Sequence, residues 1–231
     1  MNKNLVDPEN YVIEPDDRFS GGYSSIPIRG NITPQMYFEF AVQDFASDQG
    51  TRSNVNAFAN AKRAIHFQTD TISKAFGIGS LPQNHRDSFP KKIDFCEKCG
   101  IVGRRILNKF NKIRNKIEHE YYLPQIEEVE YIIDIVELFL AATARFITLF
   151  PVDIEFMLNP RQGRDIPTLA GIEFPIDKGV IYLFPNAIKA DKSKVDLGNI
   201  LKWQRENSIS FKVTEGGLYF EWVKFLVSHT L

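Results

Sequence analysis

The chain has 231 residues, of which 43% are hydrophobic and 25% are charged, and it can bury the core of one large domain or two small ones. Its 28 Lys and Arg against 29 Asp and Glu leave a formal net charge of −1. That balance argues against proteins that coat polyanions and against acidic disordered chains. Two cysteines are too few for a disulfide-stapled secreted scaffold, so the cytoplasm is the predicted location.

The sequence predicts neither an export signal nor a membrane partner. Residues 1–17 contain no apolar core of signal-peptide length and include acidic side chains. Residues 131–150 are apolar over the length of a membrane span, but Asp134, Glu137 and Arg145 interrupt them. Because charged side chains are costly in lipid, we interpret this segment as a buried helix.

The first 150 residues predict an irregular leader followed by helices. Residues 1–32 mix Pro, Gly, Ser and Asp with short apolar pieces, which is typical of irregular structure. Residues 33–150 place apolar side chains at steps of three and four, which predicts a bundle of four or five helices. The predicted helices cover residues 34–47, 53–76, 92–99, 104–119 and 124–150.

After Pro151 short β-type runs alternate with Pro and Gly breaks. Residues 151–231 therefore predict a small, mainly-β module, in which the runs 209–213 and 218–227 form a hairpin through Thr-Glu-Gly-Gly. The expected fold class is α+β, with the helical bundle over residues 33–150 followed by the β module. The two parts could share a core across this boundary.

One stretch at the end of the predicted helix 104–119 carries candidate chemistry. Arg114, Asn115, His119 and Tyr121 lie within eight residues. An Arg can clamp a phosphate through two N–H groups, and a His can take or give a proton at a ribose hydroxyl near neutral pH. On an ideal helix Arg114 and His119 point about 140° apart, so they could meet more closely across a symmetric dimer than within one helix.

The nearly neutral chain contains a basic segment. Between Lys91 and Lys116, nine Lys and Arg stand against two acidic residues. Such a segment attracts phosphates, and its Lys112 and Lys116 are candidate substrate contacts. Together with an Arg and a His it suffices in principle for RNA cleavage without a metal, since the 2′-OH can attack its own phosphate. The predicted nucleic acid is therefore RNA rather than DNA.

The pattern R-N-x3-H-x-Y from Arg114 to Tyr121, late in the third long helix, resembles the HEPN superfamily over about residues 33–150. The resemblance implies an all-α domain that dimerises around one composite cleft and, in many members, a metal-independent endoribonuclease that acts as a toxin or anti-phage effector. It implies that Arg114 and His119 are the catalytic pair and that Asn115 assists them. Tyr121 matches a Tyr that a partner antitoxin can modify. The expected partners are RNA, a second copy of the chain, and a cognate antitoxin or regulatory protein.

An earlier predicted helix offers Arg63, His66 and Asp70 at steps of three and four. The resemblance implies that a polar residue on an earlier helix can line the cleft, so these three are candidate substrate-binding residues. A solvated, salt-bridging helix face would show the same spacing.

Two alternative interpretations stay open. A non-catalytic module that binds a nucleotide or a protein would show the same helices, with His119 stabilised by the negative end of its helix. Cys96 and Cys99 are spaced like half of a zinc site, but zinc needs four ligands and the chain has no second cysteine pair. We expect two part-buried thiols, and neither a metal ion nor a cofactor.

Overall fold

The computed structural model describes residues 6–13, 19–28, 30–47, 50–185 and 205–230. In these residues the chain is a mixed α+β structure of six α-helices and one antiparallel sheet of six strands. The helices are α1 Pro34–Ser47, α2 Thr51–Ala75, α3 Phe89–Lys98, α4 Arg104–His119, α5 Ile126–Thr148 and α6 Leu218–Thr230. The strands are β1 Tyr11–Val12, β2 Ser20–Ser24, β3 Phe150–Pro160, β4 Leu169–Glu173, β5 Val180–Pro185 and β6 Ile209–Lys212.

The five helices predicted between residues 33 and 150 are confirmed as α1 to α5. Local chemistry explains where they begin. The Thr33 hydroxyl accepts a hydrogen bond from the backbone N–H of Met36 at 3.1 Å, which caps α1. At the start of α5, Gln125 and Glu128 exchange side-chain and backbone hydrogen bonds as a capping box.

Helix α2 lies at the centre of the helical part and packs against α1, α3 and α5. The core of this bundle contains apolar side chains from all five helices, among them Ala41, Phe58, Ile65, Ile93, Phe110, Ile132 and Val136. Within the described part of the chain, no helix combines the length and apolar character that a membrane crossing requires. One face of α5, which includes Val129, Ile132, Val136 and Leu140, packs into this core.

Strand β3 lies between the two N-terminal strands and β4 in the sheet. Asp153 of β3 pairs with Gly22 of β2 on one side and with Glu173 of β4 on the other. β1 follows β2 along the same edge of β3 and pairs with Asn159 and Pro160, while β5 and β6 continue the sheet beyond β4. The leader predicted to be irregular thus supplies two strands, because its short extended pieces can complete the free edge of β3.

The predicted hairpin between residues 209–213 and 218–227 is wrong in its second half. Ile209–Lys212 is a strand, but Leu218–Thr230 is the helix α6. Its buried side chains include Tyr219, Trp222, Val223 and Leu226, which recur at helical spacing. A run that is apolar almost throughout does not distinguish a buried strand from a helix, and here its length of 13 residues is typical of a helix. The helical and β elements are therefore not simply consecutive in the chain.

The helices and the sheet share one continuous core. Ile72 and Phe76 from the end of α2 and Phe146 from α5 belong to the same buried cluster as Ile154 of β3 and Ile172 of β4. The Trp222 indole of α6 closes this core and donates a hydrogen bond to the Val6 carbonyl at 2.9 Å. This bond holds Val6 against α6.

Two glycines lie against each other where the helical part meets the sheet. Gly77, which follows α2, has a φ of +88°, and Gly179, which precedes β5, has a φ of +60°. A Cβ added to Gly77 would overlap the backbone of Gly179. Beside this contact, the Tyr219 hydroxyl donates a hydrogen bond to the Phe76 carbonyl at 2.6 Å. These positions need glycine both for the positive φ and for the missing side chain.

We expect Gly77→Ala to lower the free energy of unfolding by about 3 kcal/mol, because it adds backbone strain and a steric overlap with Gly179. The matched control is Gly79→Ala, since a Cβ at Gly79 meets no atom within 4 Å, and it should change stability by less than about 1 kcal/mol. Urea denaturation followed by circular dichroism measures both. Equal stabilities of the two variants would contradict the role given to this contact.

Candidate functional site

Arg114, Asn115 and His119 of the motif lie on α4, which has two faces of different chemistry. Leu107 and Phe110 are buried against the bundle core, and Arg114 follows Leu107 after two helical turns, so it starts from the same inward face. On the outer face Arg105, Lys109 and Lys112 are exposed. Lys116 follows Lys112 by one more helical turn. We call these four side chains the basic stripe.

His119 is the last residue of α4 and is exposed. It lies two turns after Lys112 and therefore continues the basic stripe. Lys116 is held by the start of α5, since its Nζ lies 3.4 Å from the Glu128 carboxylate and 3.5 Å from the centroid of the Tyr122 ring. The other three cations of the stripe make no ion pair with the described residues. His119 therefore ends a solvent-exposed row of positive charge.

Arg114 points instead into a partly buried polar cluster formed by Lys62 and His66 of α2 with Arg114 and Glu118 of α4. Glu118 forms ion pairs with Arg114, one turn before it, and with Lys62 across the helix interface. The side chains of Arg114 and Glu118 each keep 23% of their exposure. Burial opposes the ionisation of Glu118, but its two cationic partners outweigh burial and lower its pKa.

His66 is the neutral member of the polar cluster. Its ring stacks on Phe89 with a centroid distance of 4.0 Å and meets the edge of Phe110 at 6.4 Å. Burial, followed by the positive charges of Arg114 and Lys62, lowers the pKa of His66 to about 4. Its buried Nε2 has no hydrogen-bond partner in the described part of the chain. The ring is thus uncharged at neutral pH and offers a free acceptor or donor nitrogen beside Arg114.

The structure separates the three candidate residues of the earlier helix. His66 joins the polar cluster, whereas the Asp70 carboxylate lies 2.7 Å from the Lys92 ammonium of α3. Arg63 is exposed on the side of α1, where it donates a hydrogen bond to Asn60 at 2.9 Å and its guanidinium lies 5.9 Å from the Tyr37 ring. Of these three side chains, His66 therefore lies with Arg114 in the polar cluster, whereas Arg63 and Asp70 contact other partners.

The remaining motif residues are exposed. The Asn115 side chain accepts a hydrogen bond from Arg114 Nη1 at 3.1 Å. Tyr121 keeps 92% of its exposure and has a φ of +53° in the turn after α4, and Leu123 and Ile126 beyond it are also exposed. An apolar tip thus adjoins His119. Within one chain, Arg114 and His119 start from different faces of α4, as their helical spacing predicts.

Lys62 and Glu118 are part of the cluster that the sequence interpretation did not include. Glu118 follows Arg114 by four residues and Lys62 precedes His66 by four, a spacing that places each pair on one helix face. Opposite charges at this spacing are a signal that could have identified the Arg114–Glu118 pair. The contact between Lys62 and Glu118 crosses two helices, so no local spacing predicts it.

The two cysteines lie in the shared core, away from the motif. Cys96 and Cys99 are both buried and unpaired, and burial raises the pKa of Cys96 to about 12. Such thiols are poor nucleophiles at neutral pH. Among the residues that the structure describes, no group of three or more His, Cys, Asp or Glu is placed to hold a metal ion.

No family model, curated protein or solved structure matches this chain.

The polar cluster predicts a pH dependence of stability that comes from His66. Its pKa in the folded protein, about 4, lies below the ordinary value near 6.5. The unfolded chain therefore binds more protons between these values, and stability should fall as the pH falls from about 6.5 towards 4.

A His66→Phe variant tests this assignment, because Phe can keep the stack on Phe89 and carries no charge. Urea denaturation at pH 7 and pH 5 should show a smaller acid loss for this variant than for the parent. A matched His85→Phe variant, at an exposed position, should lose as much stability as the parent between the two pH values. An unchanged acid loss in His66→Phe would refute the assignment.

Proposed function

We propose that the protein is a metal-independent endoribonuclease of the HEPN type, in which Arg114 and His119 act on the scissile phosphate. The observation that carries the proposal is the position of His119, which ends the exposed basic stripe of α4, five residues after the partly exposed Arg114. The basic stripe supplies a track for the phosphates of a bound strand. His119 stands where that track meets the apolar tip.

The proposed reaction uses groups of the chain and of the RNA alone. His119 takes the proton of a ribose 2′-OH, the 2′-oxygen forms a bond to the adjacent phosphorus, and the bond from phosphorus to the 5′-oxygen breaks. The protonated His119 gives this proton to the leaving 5′-oxygen, and a 2′,3′-cyclic phosphate remains. Arg114 offers its N–H groups to the phosphate oxygens as negative charge develops on them.

A homodimer is part of the proposal because Arg114 and His119 of one chain start from different faces of α4. A second copy, related by a two-fold axis, could place its own α4 end against the first and bring both pairs to one cleft. The exposed Tyr121, Leu123 and Ile126 beside His119 supply apolar contact area for that interface. A toxin or anti-phage role, restrained by an antitoxin or regulatory protein, fits such an enzyme.

We expect the purified protein to cleave single-stranded RNA in EDTA and to leave cyclic phosphate ends. His119→Ala and Arg114→Ala should each lower the cleavage rate by about 100-fold or more, because each removes a group that acts in the transition state. Gel analysis of a labelled RNA measures the rate, and phosphatase resistance identifies the ends.

His85→Ala and Arg164→Ala are the matched controls, since both side chains are exposed outside the motif, and both should cleave like the parent. Cleavage by His119→Ala at the rate of the parent would show that the catalytic assignment is wrong.

Glu118 competes with a phosphate for Arg114, because it already pairs with that guanidinium and with Lys62. We expect Glu118→Gln to bind RNA about three- to tenfold more tightly, since it frees two cations for phosphate contact. Glu120→Gln is the matched control: it changes the net charge equally, but Glu120 is exposed and makes no ion pair with the described residues. Fluorescence anisotropy with a labelled RNA compares the two, and equal affinities would rule out this competition.

One observation favours the alternative of a non-catalytic binding module. Glu118 already forms an ion pair with Arg114. An arginine that is paired in this way is more typical of a structural role than of catalysis. The ribonuclease and the binding module predict different results for RNA cleavage. If the parent and Glu118→Gln both bind RNA and neither cleaves it, the binding module is the better description.

A further inference from the structure

A second candidate site lies where the helical part meets the sheet. A cavity of about 630 Å³ lies there, at the C-terminal end of α2. We call it the junction cavity. Its walls come from the last two turns of α2, the loop after α2 and the turn between β4 and β5. The lining includes Ile26, Phe67, Lys74, Ser80, Arg86 and Ile176. Its volume is that of sites for nucleotide-sized ligands.

The charges around the junction cavity are unbalanced in favour of positive charge. Two carboxylates line it, and each has a Lys outside the lining as its partner: Asp70 lies 2.7 Å from Lys92, and Asp177 lies 2.7 Å from Lys178. The two cations that line it, Lys74 and Arg86, make no ion pair with the described residues. Two positive charges are therefore left uncompensated, and they favour an anionic ligand.

The cations lie beside an apolar wall. Phe67 precedes Lys74 by two helical turns on the same face of α2, and Ile26 and Ile176 line the cavity with it. An inorganic anion would fill a small part of this volume and leave the apolar wall against water. A ligand with a phosphate at the cations and a ring system against Phe67 would use both.

We propose that the junction cavity binds a small phosphorylated ligand with an aromatic ring, of the size of a nucleoside diphosphate. Lys74 and Arg86 hold the phosphate groups, and Phe67 contacts the ring. The hydroxyls of Thr71 and Ser80, which also line the cavity, provide further hydrogen-bonding groups. This site is separate from the motif of α4 and does not depend on the proposed ribonuclease activity.

Calorimetric titration of the full chain tests the proposal with adenosine diphosphate, adenosine and pyrophosphate as probes. Adenosine diphosphate should bind, and the other two should bind at least about tenfold more weakly, because each lacks one half of the recognised groups. Lys74→Ala and Arg86→Ala should each weaken binding of adenosine diphosphate about tenfold or more. Both side chains are exposed, so thermal midpoints near that of the parent should show that these variants fold.

Two control variants locate the binding. Lys224→Ala removes an exposed lysine of α6 that does not line the cavity, and Arg114→Ala removes the motif arginine. Both should bind adenosine diphosphate within about twofold of the parent. The proposal is overturned if adenosine diphosphate does not bind at millimolar concentration, if pyrophosphate binds equally well, or if Arg114→Ala loses binding while Lys74→Ala and Arg86→Ala keep it.

Discussion

The backbone of Gly77 lies directly against the backbone of Gly179, with no room for a side chain on either residue, and this contact joins the helical part to the sheet. Hydrogen bonds surround it: the Asp177 N–H donates to the Ala75 carbonyl at 2.8 Å and the Val213 N–H donates to the Gly179 carbonyl at 2.9 Å. These bonds fix the end of α2 on the turn before β5. Because α2 also packs on three other helices, its position determines both the geometry of the bundle and the opening of the junction cavity.

Electrostatics within the bundle explain why the polar cluster is ordered. A charge that is partly removed from water needs a partner, and Glu118 has two. His66 meets the same constraint by staying neutral, since burial and the neighbouring cations lower its pKa. The ion pair with Glu118 thus keeps Arg114 in a defined place in the cluster, while the basic stripe on the other face of α4 stays in solvent. One helix in this way presents a fixed cation and an exposed row of charge side by side.

Helix α2 also connects the two candidate sites. Asp70 lines the junction cavity and pairs with Lys92, and one turn earlier His66 belongs to the polar cluster. The Asp70 carboxylate acts to raise the pKa of His66, against the larger opposite effects of burial, Arg114 and Lys62. A ligand that rearranged the Asp70–Lys92 pair would therefore change the pKa of His66.

The sequence by itself determined the five helices from Pro34 to Thr148 and the candidate pair Arg114 and His119, because helix caps, helical periodicity and motif spacing are local properties. It also predicted that the two motif side chains diverge on one helix. The tertiary structure alone decided which polar residues meet Arg114, since Lys62 and Glu118 are brought together by packing between α2 and α4. It likewise decided that two N-terminal segments complete the sheet and that a cavity opens at the junction. Those features depend on contacts between residues far apart in the chain, which periodicity and spacing do not encode.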